Sequence, residues 1–166
     1  MQITDELLIR MNRVEYLFLR SLHEFGICQL EMVVDEAVVN EGSRGKLNNS
    51  YLPPDLEFIY KDAAPIETVE GCMAFRLYWK RFAAYLVTEE CVGSCGNYQD
   101  EVYEGKRFRL YSKSHFLEHL ARDTGAHTKP LLHFKIVCEH QMIDVASEEP
   151  PTIEIISLQA EMHSRL

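Results

Sequence analysis

Ile27-Cys28-Gln29-Leu30-Glu31-Met32-Val33-Val34-Asp35-Glu36-Ala37-Val38-Val39 is the stretch whose reading decides the fold class. Leu30, Met32 and Val34 alternate with Glu31, Val33 and Asp35, a period of two that gives an extended chain one apolar face. Upstream the period differs. Leu7, Met11, Val14, Phe18, Leu22 and Phe25 recur at spacings of three and four, the stripe of an amphipathic helix. Thr4 suits its cap, Asp5 and Glu6 its first turn, and Gly26 its end. The expectation is therefore one long N-terminal helix lying on a sheet that begins near Ile27.

Downstream, turn residues divide further extended segments. Gly42, Gly45, Asn48, Asn49, Pro53 and Pro54 mark a loop over 41–55, and Leu56, Phe58 and Tyr60 alternate as a short strand. The run from Cys72 to Val92 is rich in β-formers and too long for one ordinary strand, so a bend or tight turn is expected near Lys80-Arg81. A polar loop spans 93–105. Strands are expected at Arg107 to Tyr111, Leu132 to Cys138, Met142 to Ala146 and, after Pro150-Pro151, Thr152 to Ile156. A second short helix is expected near 115–122. Most connections are too short for parallel crossovers. The fold class is α+β and β-rich, a mainly antiparallel curved sheet or partly open barrel, in a single domain over 1–166.

Composition narrows the classes of function. The chain has 166 residues, 46% hydrophobic and 26% charged, as soluble globular domains do. Its formal net charge of −9 disfavours nucleic acid and anionic membrane and favours basic partners. The opening Met1-Gln2-Ile3-Thr4-Asp5-Glu6 has no basic stretch or cleavage site, and the apolar runs are too short to span a bilayer. Five cysteines, an odd count, fit free thiols in a reducing compartment, so a cytoplasmic location is expected.

One stretch spells a catalytic pattern. His115-Phe116-Leu117-Glu118-His119 reads H-x-x-E-H, in which two helical histidines hold zinc and the glutamate activates water. His115 and His119 would lie about 40° apart on a helix, close enough for joint ligation. The same wheel turns them away from Phe116, Leu117 and Leu120, toward water, and no third ligand follows at a diagnostic spacing. Cys91 and Cys95 form a lone pair without the second pair that a structural zinc site needs.

Basic and aromatic residues alternate in two segments. Arg76, Tyr78 and Lys80 share one face of the first; Arg107, Arg109 and Tyr111 share one face of the second. If those strands are neighbours, the six residues form a positive, aromatic surface able to hold an anion. The leading expectation is a non-catalytic binding or regulatory protein acting through a sheet face or its acidic surface, on a protein partner or a small anionic ligand. The alternatives are a zinc hydrolase using His115, Glu118 and His119, and a small-ligand binder lined by Phe75, Tyr78, Trp79, Phe82 and Tyr85.

Overall fold

The computed structural model describes residues 6–45, 62–93, 100–124 and 129–158. The chain opens with a short helix, α1 (Glu6–Met11), and then runs as strand β1 (Tyr16–Phe25) into β2 (Gln29–Val39). The long N-terminal helix is thus corrected to six residues followed by a strand. β1 is apolar on both faces and carries a β-bulge. Leu19 pairs with Val34, but Ser21 pairs with Val33, so Arg20 is an extra residue in β1. Leu17, Leu19 and Leu22 stand opposite Glu36, Val34 and Met32, and all three reach the core. Phe18 and Phe25, on the opposite face, stack on His140 and Tyr78, so apolar residues from both faces of β1 together fall at the spacings of a helical stripe.

The remaining elements are β3 (Ile66–Glu67), β4 (Ala74–Trp79), β5 (Phe82–Glu89), α2 (Glu90–Gly93), β6 (Val102–Glu104), β7 (Phe108–Lys113), α3 (His115–Thr124), β8 (Leu132–Val137), β9 (Gln141–Ser147) and β10 (Thr152–Ile156). The strand expected at Leu56 to Tyr60 lies outside the described residues. Among the described residues two antiparallel sheets result, and neither closes into a barrel. The first has the order β1-β2-β4-β10 with β3 beside β2; the second has the order β5-β9-β8-β7-β6. The fold is β-rich α+β, and among the described residues no helix is long and apolar enough to cross a membrane.

The break at Lys80-Arg81 is neither a hairpin nor a bulge within one sheet. There the chain leaves the first sheet and enters the second. β4 pairs with β2 and β10, whereas β5 pairs with β9. β9 and β10 make the reverse passage through Pro150-Pro151, with Ser147 opposite Phe82 and Thr152 opposite Tyr78. A bent two-stranded ribbon therefore belongs to both sheets.

Between the sheets one apolar cluster takes Leu17, Met32, Phe75 and Trp79 from the first and Phe108, Phe134 and Ile143 from the second. The Trp79 and Phe134 ring centroids are 6.5 Å apart. Leu8 and Met11 of α1 join the same cluster. Asn12, just past α1, accepts the backbone N–H groups of Lys106, Arg107 and Phe108 at 2.8, 2.8 and 2.9 Å, which ties the N-terminal segment to the start of β7.

Candidate functional site

The densest polar arrangement lies where α3 covers the outer face of the second sheet. Ser114 ends the loop after β7 and caps α3: its Oγ accepts the Leu117 N–H at 3.1 Å, and its carbonyl accepts the Glu118 N–H at 3.2 Å. The same Oγ lies 2.7 Å from His133 Nδ1, and His133 Nε2 lies 2.7 Å from Asp144 Oδ1. A carboxylate only accepts, so Nε2 carries a proton; in the neutral ring Nδ1 then accepts the Ser114 hydroxyl proton. Lys135 Nζ reaches the same Asp144 oxygen at 3.2 Å. Burial alone would lower the Lys135 ammonium pKa, but Asp144 and Tyr111 outweigh it and raise it.

Ser114, His133 and Asp144 form a serine–histidine–carboxylate chain, the constellation that activates a nucleophilic hydroxyl. Its surroundings put it to another use. His133 is 1% exposed, contrary to the exposed position its strand parity suggests, because α3 covers that face. Tyr111 stacks on its ring at 4.1 Å and Phe116 packs at 5.2 Å. Burial raises the Tyr111 pKa. With its oxygen engaged by the helix N-terminus and its proton by the ring, Ser114 holds α3 to the sheet.

The H-x-x-E-H residues fall at the start of α3. His115 Nε2 lies 2.7 Å from Asp100 Oδ1, and Nδ1 lies 3.0 Å from Glu118 Oε2. Both ring nitrogens thus face carboxylates, and these hydrogen bonds, Asp100 first, raise the His115 pKa. Lys113 and His115 in turn lower Asp100 to about 2. That arrangement favours an imidazolium, whereas a metal ligand must be neutral. Glu118 and His119 are exposed. Among the described residues no group of three or more His, Cys, Asp or Glu side chains is gathered to hold a metal ion. Cys91 is exposed in α2, and Cys95 lies outside the described residues.

The basic–aromatic surface requires neighbouring strands, and β4 and β7 are in different sheets. Arg76 and Tyr78 occupy the outer face of the first sheet, where Arg76 pairs with Glu154 at 2.7 Å and Tyr78 stacks on Phe25 at 5.7 Å. Arg109 and Tyr111 occupy the outer face of the second, with Arg109 over the Tyr103 ring at 4.5 Å. Arg107 turns to Glu139 at 3.3 Å and lies over Tyr16. Lys80 is exposed at the corner between sheets. The crossing at Lys80-Arg81 separates the two sets. Of the five residues expected to line a pocket, Phe75 and Trp79 are core, Phe82 and Tyr85 pack against that core with their rings 5.5 Å apart, and Tyr78 faces outward.

One edge of the second sheet, formed by β5, is exposed. Among the described residues β5 pairs only with β9. Its run Phe82–Thr88 contains no charge, whereas every other described strand of five or more residues carries one in its interior. Leu86 and Val87 are 50% and 41% exposed. The Glu90 N–H donates to the His140 carbonyl at 3.2 Å, which fixes the alternation. Backbone groups of Ala84, Leu86 and Thr88 turn toward β9; those of Tyr85, Val87 and Glu89 turn toward the open edge.

Sequence reasoning missed Ser114, Asp144 and the β5 edge. A serine just before a helical run is a cap signal, legible at Ser114, whereas a charge-free run such as Phe82–Thr88 reads as a strand buried within a sheet, so its place at an edge was not legible. Comparisons with family models, curated proteins and solved structures give no match.

Proposed function

We propose that this protein is a non-catalytic binding protein that works through the edge of its second sheet, accepting an extended strand from a partner onto β5. One observation carries the reading: a strand whose run Phe82–Thr88 carries no charge, with outward backbone groups and exposed Leu86 and Val87, stands at a sheet edge. Natural proteins blunt such edges with charges, bulges, prolines or short strands. The other edges follow that practice. β1 carries a bulge with Arg20, β6 is three residues long, and β10 follows Pro150-Pro151 and contains Glu154. β5 has a bulge near its start, between Phe82 and Ala84, and a single charge at its end, Glu89. Strand addition uses main-chain hydrogen bonds for affinity and flanking side chains for selection.

Val87→Pro tests this reading with little cost to the fold, because the Val87 N–H points to the open edge and not into the β9 ladder. The variant should keep the wild-type melting curve and lose about tenfold or more in partner affinity, roughly 1.4 kcal/mol. Unchanged binding by Val87→Pro and by Leu86→Lys would remove the edge from consideration.

A further inference from the structure

We infer that the occupant of this edge is a second copy of the chain, joined β5 to β5 antiparallel about a two-fold axis; the inference rests on the strand-accepting reading above. Charge placement selects the partner. Exposed Lys80 and Arg81 precede the neutral run, and exposed Glu89 and Glu90 end it. None of these four side chains makes an ion pair among the described residues. Antiparallel pairing of two identical strands brings the cationic end of each beside the anionic end of the other. Parallel pairing would set like charges together. The formal charge of −9 opposes association in general, and the neutral Ala83–Thr88 run is where that repulsion is weakest.

The register follows from what already occupies the edge. The Cys28 carbonyl takes the Phe82 N–H at 2.8 Å, so an added strand begins beyond Phe82. Pairing over Ala83–Glu89 then centres on Leu86. Tyr85 and Val87, whose backbone groups face outward, meet Val87 and Tyr85 of the partner copy in hydrogen-bonded pairs. Leu86 meets its own counterpart in the closer, non-hydrogen-bonded position, with its side chain on the outer face beside Asp144. The isologous contact is self-limiting, because each copy offers one such edge. Two five-stranded sheets become one continuous sheet of ten.

Sedimentation equilibrium from micromolar to millimolar protein tests the pairing. The wild-type chain should move from the 19.3 kDa monomer toward twice that mass. Val87→Pro should remain a monomer with an unchanged melting curve. Two charge variants sharpen the result: Lys80→Glu/Arg81→Glu and Glu89→Lys/Glu90→Lys should each fail to self-associate, yet form a mixed dimer when combined. A wild-type chain that stays monomeric throughout, or a dimer indifferent to Val87→Pro and to charge reversal, overturns the inference. A fluorescent peptide of residues 80–90 separates this inference from the reading beneath it. Peptide bound by a monomeric wild-type chain and not by Val87→Pro would leave strand acceptance standing and sink the second copy; no peptide binding by that monomer would sink both.

Discussion

His115 shows how a residue's partners can reverse its apparent purpose. Its two ring nitrogens face Asp100 and Glu118, and the histidine pKa rises above its ordinary value of 6.5. The contribution of that raised group is complete below 6.5 and is lost as pH climbs through the folded-state value. Asp100 has the opposite sign. Lowered from 3.8 to about 2, it contributes above 3.8 and loses that contribution as pH falls toward about 2. The pair is thus favourable at pH values above the ordinary aspartate value and below the raised histidine value. A proton-NMR titration should show the His115 pKa fall in Asp100→Asn, and fall less in Glu118→Gln, because Asp100 is the larger cause. A His115 titration unmoved by Asp100→Asn would dismiss the pairing. At Cys138 burial is the largest cause, ahead of Arg107, which lowers the pKa, and Glu139, which raises it, and the thiol is pushed up to about 12. Cys28 and Cys91 are exposed. Mass spectrometry after brief alkylation of the native protein should find Cys28 and Cys91 modified and Cys138 untouched.

Among elements, α3 depends most on a few polar atoms. It is ten residues long, shorter than an isolated helix needs in water, so its stability comes from the cap and from docking. His133 joins both devices, linking Ser114 at the helix start to Asp144 in β9. His133→Ala would strip both partners and leave a void beneath Phe116 and Tyr111. The expected loss is about 3 kcal/mol in urea unfolding, with faster hydrogen exchange along α3 than along β1 and β2. Exchange in α3 as slow as in the wild type would mean that apolar packing alone holds the helix. The existence of α3 was legible from the sequence, and so were the strands β2, β7, β8, β9 and β10. β1 was not, because Phe18 and Phe25 on one face and Leu22 on the other together fall at helix-like spacings. The burial of His133 was hidden for a related reason: period two says which face a residue takes, not whether a helix later covers that face.

At the scale of the molecule, the two sheets are one cooperative body if their shared core decides stability. Phe134 touches both Trp79 and Phe108 in the interior, and Trp79 is the single tryptophan of the chain. Phe134→Ala should cost about 3–5 kcal/mol. Tryptophan fluorescence and far-ultraviolet circular dichroism should still lose their signals at the same urea concentration. Separate midpoints would show that each sheet stands by itself. The sandwich was only half legible in the sequence. Alternation at Phe75, Leu77, Trp79, Phe108 and Leu110 identified the inward residues, but nothing local at Lys80-Arg81 says that the strand on either side belongs to a different sheet. That crossing also explains why six residues that alternate correctly in β4 and near β7 form no common surface.

The bent ribbon has a consequence for the order in which the chain acquires structure. β1, β2 and β4 find one another early, since they are neighbours in sequence, but β5 has no partner until β9 has emerged from the ribosome, more than fifty residues later. During synthesis the least charged strand of the molecule therefore waits longest with both edges bare. A nascent chain paused between α3 and β9 would present that strand to any neighbour on the same messenger, so the pairing inferred for two finished copies has a premature counterpart between two unfinished ones.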